Sequence, residues 1–216
     1  MATTTQKHKR RTRSDGERSR AAILSAAGKL ATVDGLDGLT IGRLADHIGM
    51  SKSGLYAHFG SKEELQLATV GYAEEVFDYE VLLPAQQAEP GLARLDAYVE
   101  HWISHVQRAV FPGGCFFVSG ITEFAPRSGP VRERISGYVL GWTGRLREEV
   151  VAAQEEGDLD LAADPDQIVF EIQSALVLSN VLWVLSEDAG VFERTRTAIS
   201  SRIASARRNF ATRPSA

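Results

Sequence analysis

Apolar residues recur every three or four positions along most of the chain, which is the pattern of amphipathic helices. No run of alternating apolar and polar residues predicts a strand. Capping residues, glycines and prolines divide the pattern into about nine predicted helices, at residues 17–34, 41–48, 52–59, 61–79, 92–106, 115–124, 131–156, 165–185 and 191–210. The sequence therefore predicts an all-α protein.

The second and third predicted helices are short and lie close together in the sequence. Only three residues, the first of them Gly49, separate them, and so tight a connection brings two helices together at a steep angle. Thr40 and Ser51 suit the N-cap positions of the two helices. Leu55 and Phe59 are predicted to point inward, which leaves the hydrogen-bonding side chains of the third helix outside.

Charge is distributed unevenly along the chain. The net charge is -4, yet residues 1–60 carry 10 Lys and Arg against 5 Asp and Glu, whereas residues 61–216 carry 14 against 23. A basic N-terminal quarter on an acidic body is a distribution that favours contact with phosphate at one end. Residues 1–16 are polar and basic without a period, which predicts a disordered arm.

The stretch LTIGRLADHIGMSKSGLYAHFGSKEELQLA closely resembles the DNA-binding signature of the TetR family of transcriptional regulators. The resemblance covers about residues 17–65, and the rest of the chain matches the family only by its layout. It implies a homodimer, a palindromic operator, repression of nearby genes, and release when a small molecule enters the C-terminal domain. The expected division is a DNA-binding domain at 17–62 and an effector-binding and dimerisation domain at 63–216.

The resemblance also implies which residues meet double-stranded DNA, because the second helix of a helix-turn-helix reads base edges in the major groove. Lys52, Ser53 and Gly54 open this helix, and Gly54 would let the backbone approach closely. The other expected contacts are Thr40, Ile41, Tyr56, His58, Lys62, Arg10, Arg11 and Arg13. The alternatives are a core-edge position for Tyr56 and a solvated surface for His58 and Lys62.

Aromatic residues in the second part of the chain predict a ligand pocket between helices. The candidate wall residues are Tyr98, Trp102, His105, Phe117, Ile121, Phe124, Tyr138, Trp142 and Trp183, with ordinary core packing as the alternative. His101 and His105 have the spacing of metal ligands but lack further ligands, so neither a metal nor a cofactor is predicted. Cys115 is predicted to be a buried apolar residue rather than an oxidation sensor.

The predicted helix at 165–185 is apolar almost all round, so it must bury two faces. One face has no obvious partner in so short a chain, and two-fold pairing with a second copy would cover it. The predicted interface consists of Leu176, Val177, Asn180, Val181, Val184, Ile199 and Ile203. Asn180 is expected to hydrogen-bond across the two-fold axis.

Other classes of protein are less consistent with the sequence. An enzyme needs an activated nucleophile, paired carboxylates or a phosphate-binding glycine loop, whereas the glycines here lie at helix ends or within the helix at 131–156. No uninterrupted run of about 18 apolar residues predicts a membrane span, and the basic start lacks an apolar run after it, so a cytoplasmic protein is expected. A DNA binder that needs no ligand, and therefore no cavity, remains the alternative.

Overall fold

The computed structural model describes residues 3–207, with side chains from residue 19 onward. It contains ten α-helices and one π-helical turn in this part of the chain. Their bounds are α1 Thr3–Asp34, α2 Ile41–Ile48, α3 Lys52–Phe59, α4 Lys62–Phe77, the π turn Asp78–Leu82, α5 Leu83–Ala85, α6 Leu92–Gln107, α7 Phe116–Phe124, α8 Pro130–Glu155, α9 Pro165–Ser186 and α10 Gly190–Ala206. The all-α prediction is confirmed. Since α4, the π turn and α5 form one continuous run, the predicted number of about nine helices also agrees.

Side chains cap α2 and α4 as their sequence predicts. The Thr40 hydroxyl accepts a hydrogen bond from the Arg43 N–H at 3.2 Å, at the start of α2. The Ser61 hydroxyl accepts one from the Glu64 N–H at 3.1 Å, at the start of α4. These bonds satisfy N–H groups that have no partner within the first helical turn, so the boundaries follow from local sequence.

The first helix begins earlier than the sequence pattern indicates. It starts at Thr3, so residues 3–16 of the segment predicted to be a disordered arm are helical in this structure. This segment contains Gln, Lys and Arg, which favour helices, and it has no proline, so a helix that packs further along can extend back through it. The side chains of Arg10, Arg11 and Arg13 lie outside the described residues, and their DNA contacts stay predictions.

The helix that joins the two parts of the molecule is α4, which packs against α1 and α3 on one side and against α8 on the other. The loop before α7 makes a second connection to α1. The Gly113 N–H donates to the Thr32 hydroxyl at 3.2 Å, and a Cβ on Gly113 would overlap the Thr32 carbonyl. Only glycine allows this loop to approach α1 so closely. The N-terminal helices are therefore fixed to the body at more than one point.

One described helix, α9, has the length and composition of a membrane span, with a mean hydropathy of 1.8 over 18 residues. Polar residues such as Glu171 and Asn180 interrupt its apolar sequence, which is why no uninterrupted run was evident. A third of that window (33%) is buried against other helices of the chain. A core helix of a water-soluble protein passes the same test, so this feature is weak evidence for a membrane.

Candidate DNA-binding surface and ligand cavity

The helices α2 and α3 form the helix-turn-helix. Gly49 ends α2 in the left-handed conformation with a φ of 69°. Ser51 caps α3, because its hydroxyl accepts a hydrogen bond from the Gly54 N–H at 3.1 Å. Leu44 of α2 and Leu55 of α3 are fully buried, so one side of each helix is held by the core. The opposite side of α3 faces solvent, as a helix that enters a DNA groove must.

Three residues predicted to contact DNA lie on the exposed side of α3. Lys52 and Ser53 are exposed, and the Lys52 side chain lies beside Gly42 of α2. Tyr56 has 58% of its surface exposed, so it does not cover the core. The exposed side of α3 therefore presents one cation and two hydroxyl groups to solvent on a fixed helix.

Four other predicted contact residues are half-buried. The Thr40 side chain caps α2, and Ile41 packs against the core. Gly54 donates its N–H to the cap of α3. The His58 carbonyl accepts a hydrogen bond from Arg20 of α1 at 3.0 Å. These residues have structural roles at the surface. A contact with DNA would be a second role for each of them.

Lys62, the remaining predicted phosphate contact, forms an ion pair in this structure. Its Nζ lies 3.0 Å from Oδ1 of Asp37, in the turn between α1 and α2. The same oxygen lies 3.0 Å from Nη1 of Arg127, which follows α7. The Lys62 side chain is 45% exposed, so a phosphate can approach it.

Helices of the body hold the turn between α1 and α2. The Glu123 carboxylate of α7 accepts hydrogen bonds from the N–H groups of Leu36 at 2.8 Å and Asp37 at 3.0 Å. The Gln66 amide of α4 donates to the Leu36 carbonyl at 2.8 Å. Because turn residues lack helical partners, these bonds satisfy backbone groups that would otherwise be unpaired.

Glu123→Ala is expected to lower the free energy of unfolding by about 1.5–3 kcal/mol, since two partly buried N–H groups lose a charged acceptor. Urea unfolding followed by circular dichroism would measure the loss. Glu148→Ala, which removes an exposed carboxylate from α8, is the control and should change stability by less than about 0.5 kcal/mol. Equal stabilities of the two variants would contradict the role assigned to Glu123.

A cavity of about 80 Å³ lies between the end of α4 and helices α6, α7, α8 and α9. Five predicted pocket residues line it: Trp102, Phe117, Ile121, Tyr138 and Trp142. The other wall residues, which the sequence reasoning did not assign to the pocket, are Phe77, Cys115, Val118, Thr122, Val139, Gln173, Leu176 and Val177. Helical spacing from Ile121 would have indicated Val118, but no sequence signal brings Phe77 to this wall.

Hydrogen bonds within the chain pair the main polar groups of the cavity wall. The Tyr138 hydroxyl donates to Oδ1 of Asp78 at 2.6 Å, and the Gln173 amide donates to the Thr143 hydroxyl at 3.0 Å. Burial and the adjacent Asp78 carboxylate raise the pKa of Tyr138. Burial raises the pKa of the Cys115 thiol. The wall therefore presents apolar surface and neutral groups at pH 7.

Four predicted pocket residues lie outside this cavity. Tyr98 packs edge-on behind Trp142, with ring centroids 5.4 Å apart. Trp183 packs against Phe192 of α10 at 5.3 Å. Phe124 is buried at the end of α7. The fourth, His105, is described in the next paragraph. For these residues an aromatic type in the right helix was insufficient, because the other side of the same helix also packs into the core.

His105, the fourth of these residues, is only 1% exposed, and its Nδ1 has no hydrogen-bond partner. It lies edge-on to Phe77 at 5.8 Å and to Phe111 at 6.0 Å. Burial lowers the pKa of His105 to about 4, so its ring is neutral at pH 7. Within residues 19–207, no group of three or more His, Cys, Asp or Glu residues is placed to hold a metal ion.

One face of α9 carries a row of exposed apolar side chains, which we call the α9 face. Its members are Phe170, Val177, Leu178, Val181, Leu182, Val184 and Leu185, with exposed fractions between 37% and 80%. Three predicted interface residues, Val177, Val181 and Val184, belong to it. So large an exposed apolar surface is typical of a binding interface.

Two other predicted interface residues, Leu176 and Asn180, lie inside the chain, so the prediction was wrong for them, whereas for Ile199 and Ile203 it stays a prediction. Leu176 lines the cavity and is 2% exposed. Asn180 is buried, and its Oδ1 accepts a hydrogen bond from the Cys115 N–H at 2.7 Å, so it does not face a second copy. Ile199 and Ile203 line a groove between α10 and α6. The spacing of apolar residues in α9 and α10 could not show which face of each helix packs against the rest of the same chain.

Two family models match the chain. The model described as "Bacterial regulatory proteins, tetR family" matches residues 23–69, which include the helix-turn-helix. The model described as "Tetracyclin repressor-like, C-terminal domain" matches residues 91–199, which include most of the cavity wall and the α9 face. A comparison with curated proteins finds no significant match.

Several solved structures share the fold. A TetR transcriptional regulator from Chloroflexus aurantiacus is 24% identical with a TM-score of 0.81, covering 90% of this chain and 98% of its own. AibR, in a complex with isovaleryl coenzyme A and operator DNA, is 24% identical with a TM-score of 0.66, covering 88% and 100%. The ketosteroid transcriptional regulator KstR2 of Mycobacterium tuberculosis is 17% identical with a TM-score of 0.69, covering 88% and 96%.

Proposed function

Because the chain belongs to the TetR family, whose members are DNA-binding transcriptional regulators and not enzymes, we propose that it is a repressor released by a small, largely apolar effector. It binds a palindromic operator as a homodimer in the cytoplasm. The observation that carries the proposal is an exposed recognition helix on a C-terminal part that contains an apolar cavity.

The DNA-binding part of the proposal rests on α3 and on the start of α4. Lys52 and Ser53 are exposed in the first turn of α3, where side chains come nearest to base edges. Tyr56 and Lys62 offer a hydroxyl and an ammonium group, which suit phosphate oxygens. Phosphate contacts set the register of the helix on the duplex, and base contacts supply the sequence preference.

The homodimer rests on the α9 face. Beside it, α10 exposes small side chains, including those of Ala198, Ser201 and Ser205, which allow another helix to approach closely. Two-fold pairing would place α9 and α10 of both subunits in a four-helix interface that removes the exposed apolar row from water. Two recognition helices held about 34 Å apart could then read two half-sites of one operator.

The class of effector follows from the cavity wall. Aromatic and aliphatic side chains form most of it, and the polar groups that line it are neutral at pH 7. A charged ligand buried there would lack a counter-charge, so an uncharged or mainly apolar compound fits best. AibR, which has the same fold, is bound to isovaleryl coenzyme A and operator DNA in its structure.

Lys62→Ala and Tyr56→Ala are each expected to weaken operator binding, and Lys62→Ala, which removes a cation, is also expected to flatten its salt dependence. Each lost contact between a cation and a phosphate lowers the slope of log affinity against log salt by about one for each protomer. The probe is a duplex that the wild-type protein enriches from random-sequence DNA, and mobility shifts across a salt series measure the slope.

Lys29→Ala is the matched control for this experiment, because Lys29 is an exposed lysine of α1 outside the recognition surface. It should leave the salt slope unchanged. If Lys62→Ala and Tyr56→Ala behave like Lys29→Ala, neither residue contacts phosphate. If the wild-type protein enriches no duplex, the proposal as a whole is wrong.

A further inference from the structure

Four charged residues meet where α7 contacts the DNA-binding part of the chain, and we call them the junction cluster: Asp37, Lys62, Glu123 and Arg127. Oδ1 of Asp37 is shared, since Nζ of Lys62 and Nη1 of Arg127 each lie 3.0 Å from it. Hydrogen bonds from these two cations hold the pKa of Asp37 below its ordinary value, so the carboxylate stays charged at neutral pH.

Arg127 is fixed to α7 although it lies just beyond the end of that helix. Its Nε donates to the Glu123 carbonyl at 3.2 Å, and its guanidinium lies 4.9 Å from the centre of the Phe124 ring. The Glu123 carboxylate in turn holds the backbone N–H of Asp37 at 3.0 Å. A movement of α7 would therefore displace Arg127 and Glu123 together relative to Asp37.

The opposite side of α7 forms a wall of the ligand cavity through Phe117, Val118 and Ile121. The cavity measures about 80 Å³, whereas ligand sites for drug-sized molecules have volumes of about 300–1,000 Å³. A ligand of that size is fully accommodated only if the surrounding helices move apart. Because α7 has only nine residues, it is the shortest helix that lines the cavity. We take α7 as the wall that yields.

We infer that Arg127 is a positioning residue that promotes DNA binding. It shares the carboxylate of Asp37 with Lys62 and thereby weakens the ion pair between Asp37 and Lys62. When α7 is displaced, Arg127 leaves and Asp37 retains Lys62 alone. Lys62 must then give up a stronger ion pair before it can bind a phosphate. This inference rests on the proposed function, because it takes Lys62 as a phosphate contact.

The direction of each effect follows from the charges. Arg127→Gln leaves Asp37 and Lys62 as an exclusive pair, so operator affinity should fall by about two- to fivefold for each protomer, the range of an exposed ion pair. Asp37→Asn removes the competitor of phosphate, so affinity should rise by a similar factor. When Arg127→Gln is added to the Asp37→Asn protein or to the Lys62→Gln protein, operator affinity should not change further.

The test is a double-mutant cycle on full-length protein, with affinities measured by fluorescence anisotropy on the duplex enriched by the wild type. Circular dichroism of each variant checks that the helices are retained. Arg145→Gln is the matched control, since it removes an exposed arginine from α8, outside the junction cluster. It should leave operator affinity within the error of the wild type.

If Arg127→Gln causes an equal loss of affinity in the wild-type protein and in the Asp37→Asn protein, Arg127 acts directly on DNA and the inference is overturned. If Arg145→Gln lowers operator affinity by the same factor, the inference is also overturned, because the loss of one positive charge anywhere on the protein would then explain the effect of both variants. If the Arg127→Gln protein does not keep its helices, the Asp37→Asn protein is the remaining test. An operator affinity of Asp37→Asn that is equal to or lower than that of the wild type then overturns the inference. Failure of the wild type to enrich any duplex would overturn the proposed function itself.

Discussion

Val181→Glu is expected to convert the protein into a monomer that keeps its helices and binds operator DNA roughly a hundredfold more weakly. Val181 is 50% exposed and lies within the α9 face. In a two-fold interface the new carboxylate would be buried without a counter-charge, at a cost of about 3–5 kcal/mol. Operator affinity falls when dimerisation is lost, because a monomer reads only one half-site. Light scattering would report the mass, and mobility shifts would report the affinity.

Leu161→Glu is the control for this prediction. Leu161 is 75% exposed between α8 and α9, outside the α9 face, so the variant should remain a dimer with normal affinity. Val177 is less suitable for the test, because it lines the cavity as well as belonging to the α9 face. A wild-type monomer at micromolar concentration, or a dimer of Val181→Glu, would place the interface elsewhere.

Trp142→Ala is expected to lower the free energy of unfolding by about 3–5 kcal/mol, the usual loss for a large buried aromatic side chain. The Trp142 ring packs edge-on against Phe77 and Tyr98, each with centroids 5.4 Å away, and forms part of the cavity wall. Urea unfolding would measure the loss. A loss below about 1 kcal/mol would mean that the neighbouring side chains fill the space.

Trp142→Phe tests the cavity with less damage to the fold. Compounds that release the enriched duplex from the wild type are titrated against the variant, and the half-release concentration should change by about tenfold, because a small change of volume in an apolar pocket alters binding by about 1–3 kcal/mol. Trp183→Phe is the matched control, since Trp183 packs against Phe192 away from the cavity. Equal responses of the two variants would move the ligand site elsewhere.

The helix-turn-helix was predictable because its signals are local. Thr40 and Ser51 cap the helices they precede, and Gly49 takes the left-handed conformation that ends α2. Leu55 and Phe59 are buried, as the helical period requires. The signature sequence then connected this pair of helices to DNA, which helical periodicity does not show.

The cavity was predictable only in part. The aromatic type indicated Phe117, Tyr138 and Trp142, and these residues do line it. The same reasoning included Trp183, which packs on another helix. It omitted Phe77, which reaches the wall from the end of α4. Residue type indicates which kinds of side chain line a pocket, but which of the aromatic residues reach the cavity depends on how the helices cross.

Local sequence was enough to predict the helical class, the DNA-binding motif, a second apolar face on α9 and most helix boundaries after residue 35, although the helix predicted to end at residue 79 continues through the π turn to Ala85. Helix packing, in contrast, placed the Asn180 side chain against the backbone N–H of Cys115 inside the chain and brought Lys62 and Arg127 to the same oxygen of Asp37. Caps and helical periods depend on residues a few positions apart. The partners of Asn180 and Asp37 depend on helix packing, which brings together residues that no local pattern relates.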